Sequence, residues 1–274
     1  MSDLMRIGAN IEALKSFNSL MQINDKMSIH QLRLATGRKI NSAGEDPAGY
    51  ALARSLESRK KGLSVALDNV SNAKNVMNIA EGGYQNIMDI LQTCKEKATQ
   101  AADGSLSTDQ RTALNNQVLA LMTEIDDIAG GTTFNGYNLI GASHDTLVFQ
   151  TGESASDNLS VTLDAADSAS LSLDSISLTT GASASTAITT LANAIDTLSG
   201  AVQEVGQYKA RLSTKESNLS VAITNTEAVR SKIEDADFAK EQMEVMKLQI
   251  LQQTALSSFV QSNSNPQIVL SLFQ

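Results

Sequence analysis

Apolar residues recur every seven positions from Leu56 through Leu63, Val70, Met77, Tyr84 and Leu91 to Ala98. A second row follows three residues along, at Ala66, Ala73, Ala80, Ile87, Cys94 and Ala101, and only Arg59 breaks it. Two rows at this alternating three- and four-residue spacing make the buried seam of a coiled coil. A helix of about 50 residues rising about 1.5 Å per residue is about 75 Å long. No compact domain of 274 residues encloses such a helix, so the spacing predicts a rod.

The seam needs a partner, and the chain carries a second one. Leu191, Leu198, Val205, Leu212, Leu219 and Ile233 share a sevenfold register in which Thr226 is the only polar member. Ala194, Ala201, Tyr208, Ala222 and Val229 lie three residues behind. The two seams are nearly equal in length and about ninety residues apart. The expectation is a mainly α fold, a long hairpin-like coiled-coil helical bundle that goes out along one helix and returns along the other, with both termini at one end.

Composition suits thin helical seams better than a thick core, since aromatic residues make up 4%, Trp is absent and Pro occurs twice. The formal net charge of −9, with no basic stretch, argues against nucleic acid as a partner. No run of about 18 apolar residues argues for a membrane span, and the N-terminus lacks the pattern of a cleavable secretory signal. A single cysteine excludes an internal disulfide, and Cys94 on the seam reads as a small core residue.

Residues 4–34 carry two helical stripes, Leu4, Ile7, Ile11 and Leu14, then Leu20, Ile23, Met27, His30 and Leu34. His30 reads as a packing residue, having no ligand partner at metal spacing. Between Thr36 and Pro47 the pattern breaks at Gly37 and Gly44, with Asn41, Ser42, Glu45 and Asp46 in turn chemistry. Pro47 suits the first turn of the next helix, after acids that favour its positive end. This stretch is a joint between the terminal helix and the rod.

Asp103-Gly104 closes the long helix, and Ser107 with Gln110 predicts a capping box. Leu114, Val118, Leu121, Ile125 and Ile128 then mark a third helix, ended by Gly130-Gly131, before a loop around Asn135-Gly136. Residues 145–180 alternate instead: Leu147 and Phe149, then Leu159, Val161 and Leu163, then Leu171, Leu173, Ile176 and Leu178. That predicts short strands forming a small β region at the outer tip of the rod, where the chain turns around. From Asp235 to Phe259 a last amphipathic helix shows Ala239, Met243, Met246 and Ile250 on one stripe, with Leu248, Leu251, Ala255, Leu256 and Phe259 beside it. Asn263, Asn265 and Pro266 are expected to interrupt it before the apolar end at Leu270 and Leu272. Both terminal helices carry more apolar surface than either can hide alone, and such surfaces mean assembly.

Catalytic signatures do not emerge. Neither histidine starts a zinc-protease helix, and no nucleophile elbow, phosphate loop, CxxC or dinucleotide fingerprint occurs. No cofactor or metal is expected, and the chain reads as a non-enzyme.

Several long motifs point further. Arg33–Ala53 reads RLATGRKINSAGEDPAGYALA, Ala80–Ile87 AEGGYQNI and Thr132–Ile140 TTFNGYNLI. SKIEDADFA at Ser231–Ala239, then ILQQT and NPQIVLSLF, follow in order near the end. Together these closely resemble bacterial flagellin, over about residues 1–140 and 185–274. The resemblance implies a structural subunit that polymerises into the flagellar filament, secreted and extracellular. Residues 1–46 and 236–274 would pair as the inner filament-core domain, residues 47–144 and 181–235 would form the stem, and 145–180 the variable β region. It further implies export by the flagellar type III apparatus, an export chaperone at the C-terminal end, and contacts with hook-associated and cap proteins. Filament-core assembly would fall to Leu4, Ile7, Ile11, Leu14, Leu20, Ile23, Met27, Met243, Met246, Ile250, Leu251, Phe259, Leu270 and Leu272. Gly37, Gly44, Asp46 and Pro47 would make the joint.

In flagellins sensed by the mammalian flagellin-specific Toll-like receptor, the matching stretch of the first long helix resembles LQRVRELAVQ, against LQTCKEKATQ at Leu91–Gln100 here. Gln92, Thr93, Glu96, Lys97 and Gln100 are expected to face outward. Thr93 replaces the Arg and Lys97 the Leu, which implies weak receptor activation. Two rivals share features of the plan: a hook-filament junction protein, and a secreted type III translocator, disfavoured by the lack of a long apolar hairpin.

Overall fold

The computed structural model describes residues 10–271, with side chains through Ser264. Leu4, Ile7 and Leu272, and the side chain of Leu270, lie outside the described residues. Among the described residues five helices carry the fold: α1 (Ile11–Thr36), α2 (Pro47–Ala101), α3 (Thr108–Gly131), α4 (Gly181–Glu234) and α5 (Phe238–Ser271). Between α3 and α4 lie two small antiparallel hairpins, β1 (Thr133–Phe134) with β2 (Tyr137–Asn138), and β3 (Leu147–Gln150) with β4 (Asn158–Val161). The fold is mainly α with a small β region. The chain divides into two compact units, residues 1–58 with 225–274, and residues 59–224. The division falls inside α2 and α4, so the first turns of α2 and the last turns of α4 group with the terminal helices.

The second unit, residues 59–224, is organised by the two seams. Every seam residue of α2 from Leu63 to Ala101 is buried, from Leu63 and Ala66 to wholly covered Tyr84, Leu91 and Ala98. Leu191, Leu198, Val205, Leu212 and Leu219 of α4 join the same core. Alanines in one row let the helices approach, and Met77, Tyr84, Ile87 and Leu91 fill the space beside them. Flanking ion pairs fix an antiparallel register: Lys74 Nζ lies 2.6 Å from Glu216 Oε2, and Lys209 Nζ 2.6 Å from Glu81 Oε2.

α3 starts at the expected capping box, Ser107 and Gln110 each accepting from the other's backbone N–H. It runs back along α2. Arg111 Nε donates to the Ala101 carbonyl at 2.9 Å near its start. Near its end, a Cβ on Gly83 of α2 would meet Ile140 Cδ1 and Thr132 Oγ1, both at 2.7 Å. Only glycine admits this approach, which seats the β1–β2 loop on the helix. That loop is a two-residue hairpin, and Asn135 and Gly136 both take positive φ, 51° and 85°, as its turn demands.

Two expectations for residues 145–180 change. The β3–β4 hairpin is present, pairing Leu147 with Val161 and Gln150 with Asn158. It sits beside the early part of α2 rather than at the turnaround near Ala101. Asn69 Nδ2 donates to the Gln150 carbonyl at 3.2 Å, and Arg59 Nε lies 2.9 Å from Glu153 Oε1. Arg59, the single break in the seam, marks where the hairpin lies. Leu171, Leu173, Ile176 and Leu178 are buried, but in turns and irregular loop and not in strands. Ser172 has φ 58°, and Leu173 N–H bonds back to the Ser168 carbonyl at 2.8 Å, which no extended strand permits. Alternation here records apolar residues dipping into the core from a folded-back loop. The Tyr84 hydroxyl donates to the Asp164 carbonyl at 2.5 Å, and Leu178 N–H to Asn115 Oδ1 at 2.8 Å, so this loop retraces α2 and α3 toward the start of α4.

Candidate assembly surface

The first unit, residues 1–58 with 225–274, has little core. Its buried apolar side chains among the described residues are Ala13, Ile40, Ala53, Val245 and Leu248. α1 and α5 pack side by side. Asn10 Nδ2 donates to the Ser262 carbonyl at 2.7 Å, Gln252 Nε2 to Asn24 Oδ1 at 2.7 Å, and His30 Nδ1 meets Glu241 Oε2. Rising numbers on α1 against falling ones on α5 make the pair antiparallel.

The face α5 turns to α1 is Glu241, Val245, Leu248, Gln252, Ala255 and Phe259, spaced four and three residues apart. Two of the six are polar, so an apolar search passes over this face. His30 is accordingly a polar seam residue and not a packing one. Glu241 is buried, and Arg33 Nη1 approaches its other oxygen at 3.8 Å. Polar pairs inside a coiled-coil seam specify register at some cost in stability.

The named terminal residues therefore fall into two sets. Ile11, Leu20, Ile23, Met27 and Phe259 are half-buried, with Phe17 and Phe259 rings 6.0 Å apart and tilted. Met243, Met246, Ile250 and Leu251 do not reach α1 as partners of its stripe. They remain 59%, 49%, 66% and 42% exposed, together with Leu14, Phe17, Met21 and Leu32 of α1. α5 also continues as helix through Asn263, Asn265 and Pro266, where an interruption was expected. Its apolar row is thus a regular helical face that stays about half exposed or more among the described residues.

At the joint, Gly37 caps α1 in the left-handed conformation with φ 69°, its N–H donating to the Arg33 carbonyl at 2.9 Å. Asp46 caps α2, its Oδ1 accepting from Gly49 N–H at 3.0 Å, with Pro47 as first helical residue. Gly49 went unremarked in the sequence. A Cβ there would lie 2.4 Å from Asp46 Oδ2 and 2.8 Å from Ile40 Cδ1. Gly44 has no positive φ and faces only Ser42 Oγ at 3.7 Å, so the backbone there tolerates a side chain.

On α2, Gln92, Glu96 and Gln100 are exposed, whereas Thr93 and Lys97 are half-buried and Thr93 Oγ1 donates to the Asp89 carbonyl. The buried face of α2 is wider than a two-helix seam because α3 and α4 both join its core. Cys94 is wholly buried, and that burial pushes its thiol pKa up to about 11. Among the described residues, no group of three His, Cys, Asp or Glu could hold a metal ion, and no helix is long and apolar enough to cross a membrane.

Comparison with known proteins covers these elements. Residues 7–145 match the bacterial flagellin N-terminal helical region, and residues 186–273 the bacterial flagellin C-terminal helical region. A flagellin of Listeria innocua is 30% identical over 284 residues, covering 98% of this chain and 99% of its own. A flagellin of Bacillus subtilis is 30% identical over 306 residues, covering 98% and 100%. A putative flagellar hook-associated protein from Vibrio parahaemolyticus has a like fold, with a TM-score of 0.60 over 70% of this chain and 100% of its own, at 14% identity. With both helical regions matched and relatives aligned along nearly the whole length, the chain belongs to the bacterial flagellin family, and it is a structural subunit that self-assembles into the flagellar filament for motility.

Proposed function

We propose that α1 and α5 are the surface through which subunits join, with residues 1–46 and 236–274 as the inner part of the filament. Residues 47–144 and 181–235 act as the stem and 145–180 as a flanking β region. The observation that carries this reading is the uncovered row Met243, Met246 and Ile250 on a helix whose other face is already used by α1. A monomer that keeps such a row in water gains free energy when a neighbour covers it. Because the apolar patches on α1 and α5 differ, copies meet head-to-tail, and that geometry builds an open helix. The subunit is exported through the flagellar type III apparatus with a chaperone on its C-terminal end. It acts outside the cell beside cap and hook-associated proteins. Exposed Gln92, Glu96 and Gln100, with Thr93 and Lys97 in place of Arg and Leu, support weak recognition by the flagellin-specific Toll-like receptor.

The test removes residues 240–274. The shortened chain should stay strongly helical by circular dichroism, because the core from Leu63 to Leu219 contains none of them. It should fail to grow on filament seeds. Filaments of normal diameter from this chain would end the assignment.

A further inference from the structure

The sulfur atoms of the chain are divided unequally between its two units. Of nine methionines, Met77 and Met122 are buried in the core of residues 59–224, and Met88 packs half-buried against it. Cys94 is wholly buried in the same core. The first unit is the opposite. Met243 and Met246 of α5 are 59% and 49% exposed, and Met21 of α1 is 47% exposed, with Met27 half-buried. Among the described residues, every exposed methionine thus lies on α1 or α5.

These positions are not scattered. Met243 and Met246 lead the exposed row that Ile250 continues, at spacings of three and four residues along one helix face. Met21 follows Leu14 and Phe17 at the same spacing on the exposed apolar face of α1. A thioether takes up an oxygen atom from a peroxide, chemistry that Ile250 beside it lacks. The S–O bond forms as the O–O bond breaks, sulfur gives up two electrons, and hydrogen peroxide leaves as water. The sulfoxide keeps the length of the side chain but carries a strongly polar oxygen. Under an apolar neighbour that oxygen loses its water and gains no donor in return.

Taking α1 and α5 as the assembly surface proposed above, we propose that Met243 and Met246 form a reversible oxidation site that controls whether a subunit can join the filament. A peroxide converts both to sulfoxides on the free chain, and the oxidised row no longer accepts a neighbouring copy. Separating α5 from α1 only exposes the same two thioethers further, so the reaction does not depend on their pairing. Methionine sulfoxide reductases, one for each sulfoxide epimer, restore the thioether, with two thiols oxidised to a disulfide and the oxygen released as water. Once a neighbour covers the row, the sulfur atoms are out of reach, so a grown filament resists the oxidant that stops a free subunit. Met77, Met122 and Cys94 are buried and take no part, which leaves the core from Leu63 to Leu219 unchanged.

The experiment uses the full chain and a variant carrying both Met243→Leu and Met246→Leu, which keeps apolar volume and helix preference but not the sulfur. Each is treated with hydrogen peroxide as free subunit and as grown filament, and peptide mass mapping locates every added oxygen. In the free parent chain Met243 and Met246 should oxidise roughly tenfold or more faster than Met77 and Met122, and in filaments they should stay reduced. Sedimentation after seeded growth should show residual monomer of the oxidised parent raised roughly tenfold or more, returning to its starting level after both reductases. The leucine variant should keep its growth through the same treatment. A half-oxidised parent gives a readout that needs no variant: growth on seeds should leave the two sulfoxides in the supernatant and the thioethers in the filaments. Three results overturn the inference: equal sulfoxide content at Met243 and Met246 in filaments and supernatant, a loss that the reductases do not reverse, or a loss of the same size in the leucine variant. The chain lacking residues 240–274 separates the two levels. Its growth on seeds defeats the assembly-surface reading, whereas its failure beside normal growth of the oxidised parent defeats only the oxidation site.

Discussion

Changing Met243, Met246 and Ile250 together to glutamine tests the uncovered row without disturbing the monomer. Glutamine is a good helix former, so α5 is retained. The three side chains are 59%, 49% and 66% exposed, so a neighbouring copy can still cover half to two thirds of each. Full burial of such a side chain contributes about 1.5–3 kcal/mol, which leaves about 1 kcal/mol per residue for assembly. The triple variant therefore loses about 3 kcal/mol per subunit added, equivalent to roughly a hundredfold rise in the monomer concentration left at equilibrium with filaments. In the monomer these are surface substitutions, each within about 0.5 kcal/mol of neutral. Sedimentation after seeded growth reads the residual monomer, and a thermal melt by circular dichroism reads the fold. A residual concentration within about threefold of the parent, with the melt unchanged, refutes the idea that this row is covered on assembly.

Two further outcomes concern the second unit. Cys94 is wholly buried with its thiol pKa at about 11, so a thiol reagent should modify it slowly in the native chain and quickly in denaturant; fast native labelling would mean the α2 seam is open. Tyr84→Phe removes a hydroxyl that donates to the Asp164 carbonyl, which should cost about 1 kcal/mol and lower the melting temperature by roughly 2–4 °C. Burial, followed by the charges of Asp164 and Glu204, raises the Tyr84 pKa above its ordinary 10.0. The folded chain thus holds the phenol proton more tightly than the unfolded one. The resulting stability is complete below about pH 10 and declines as pH rises past it, and Tyr84→Phe should lack that alkaline decline. Urea titrations of both chains on either side of pH 10 decide it, and equal slopes with pH would contradict the assignment.

The seams of α2 and α4 were legible because nearly every member is apolar, so spacing alone revealed the face. Burial from Leu63 to Ala101 and from Leu191 to Leu219 follows that register residue by residue. The contact face of α5 was hidden for the opposite reason. Glu241 and Gln252 interrupt it, while the free face with Met243, Met246 and Ile250 looks like a complete stripe. Apolar periodicity finds a helix but not which of two faces is already occupied. At residues 171–178 the alternation is real and its cause differs, since a turn that dips repeatedly into a core alternates like a strand. Arg59 did carry positional information as the lone polar break in a seam, though only its pairing with Glu153 shows what it meant. Glu234 lay inside a recognised motif, yet Arg54, which donates to its carboxylate, stands 180 residues away in the chain, and no local pattern links the two.

The central claim is that subunits join through α1 and α5, and a helical reconstruction of filaments grown from the purified chain tests it most directly. The account predicts α1 and α5 nearest the filament axis, with Met243, Met246 and Ile250 each covered by a neighbouring copy. Filaments in which those three side chains stay as open to water as in the monomer, with copies held together through residues 59–224 instead, would contradict it.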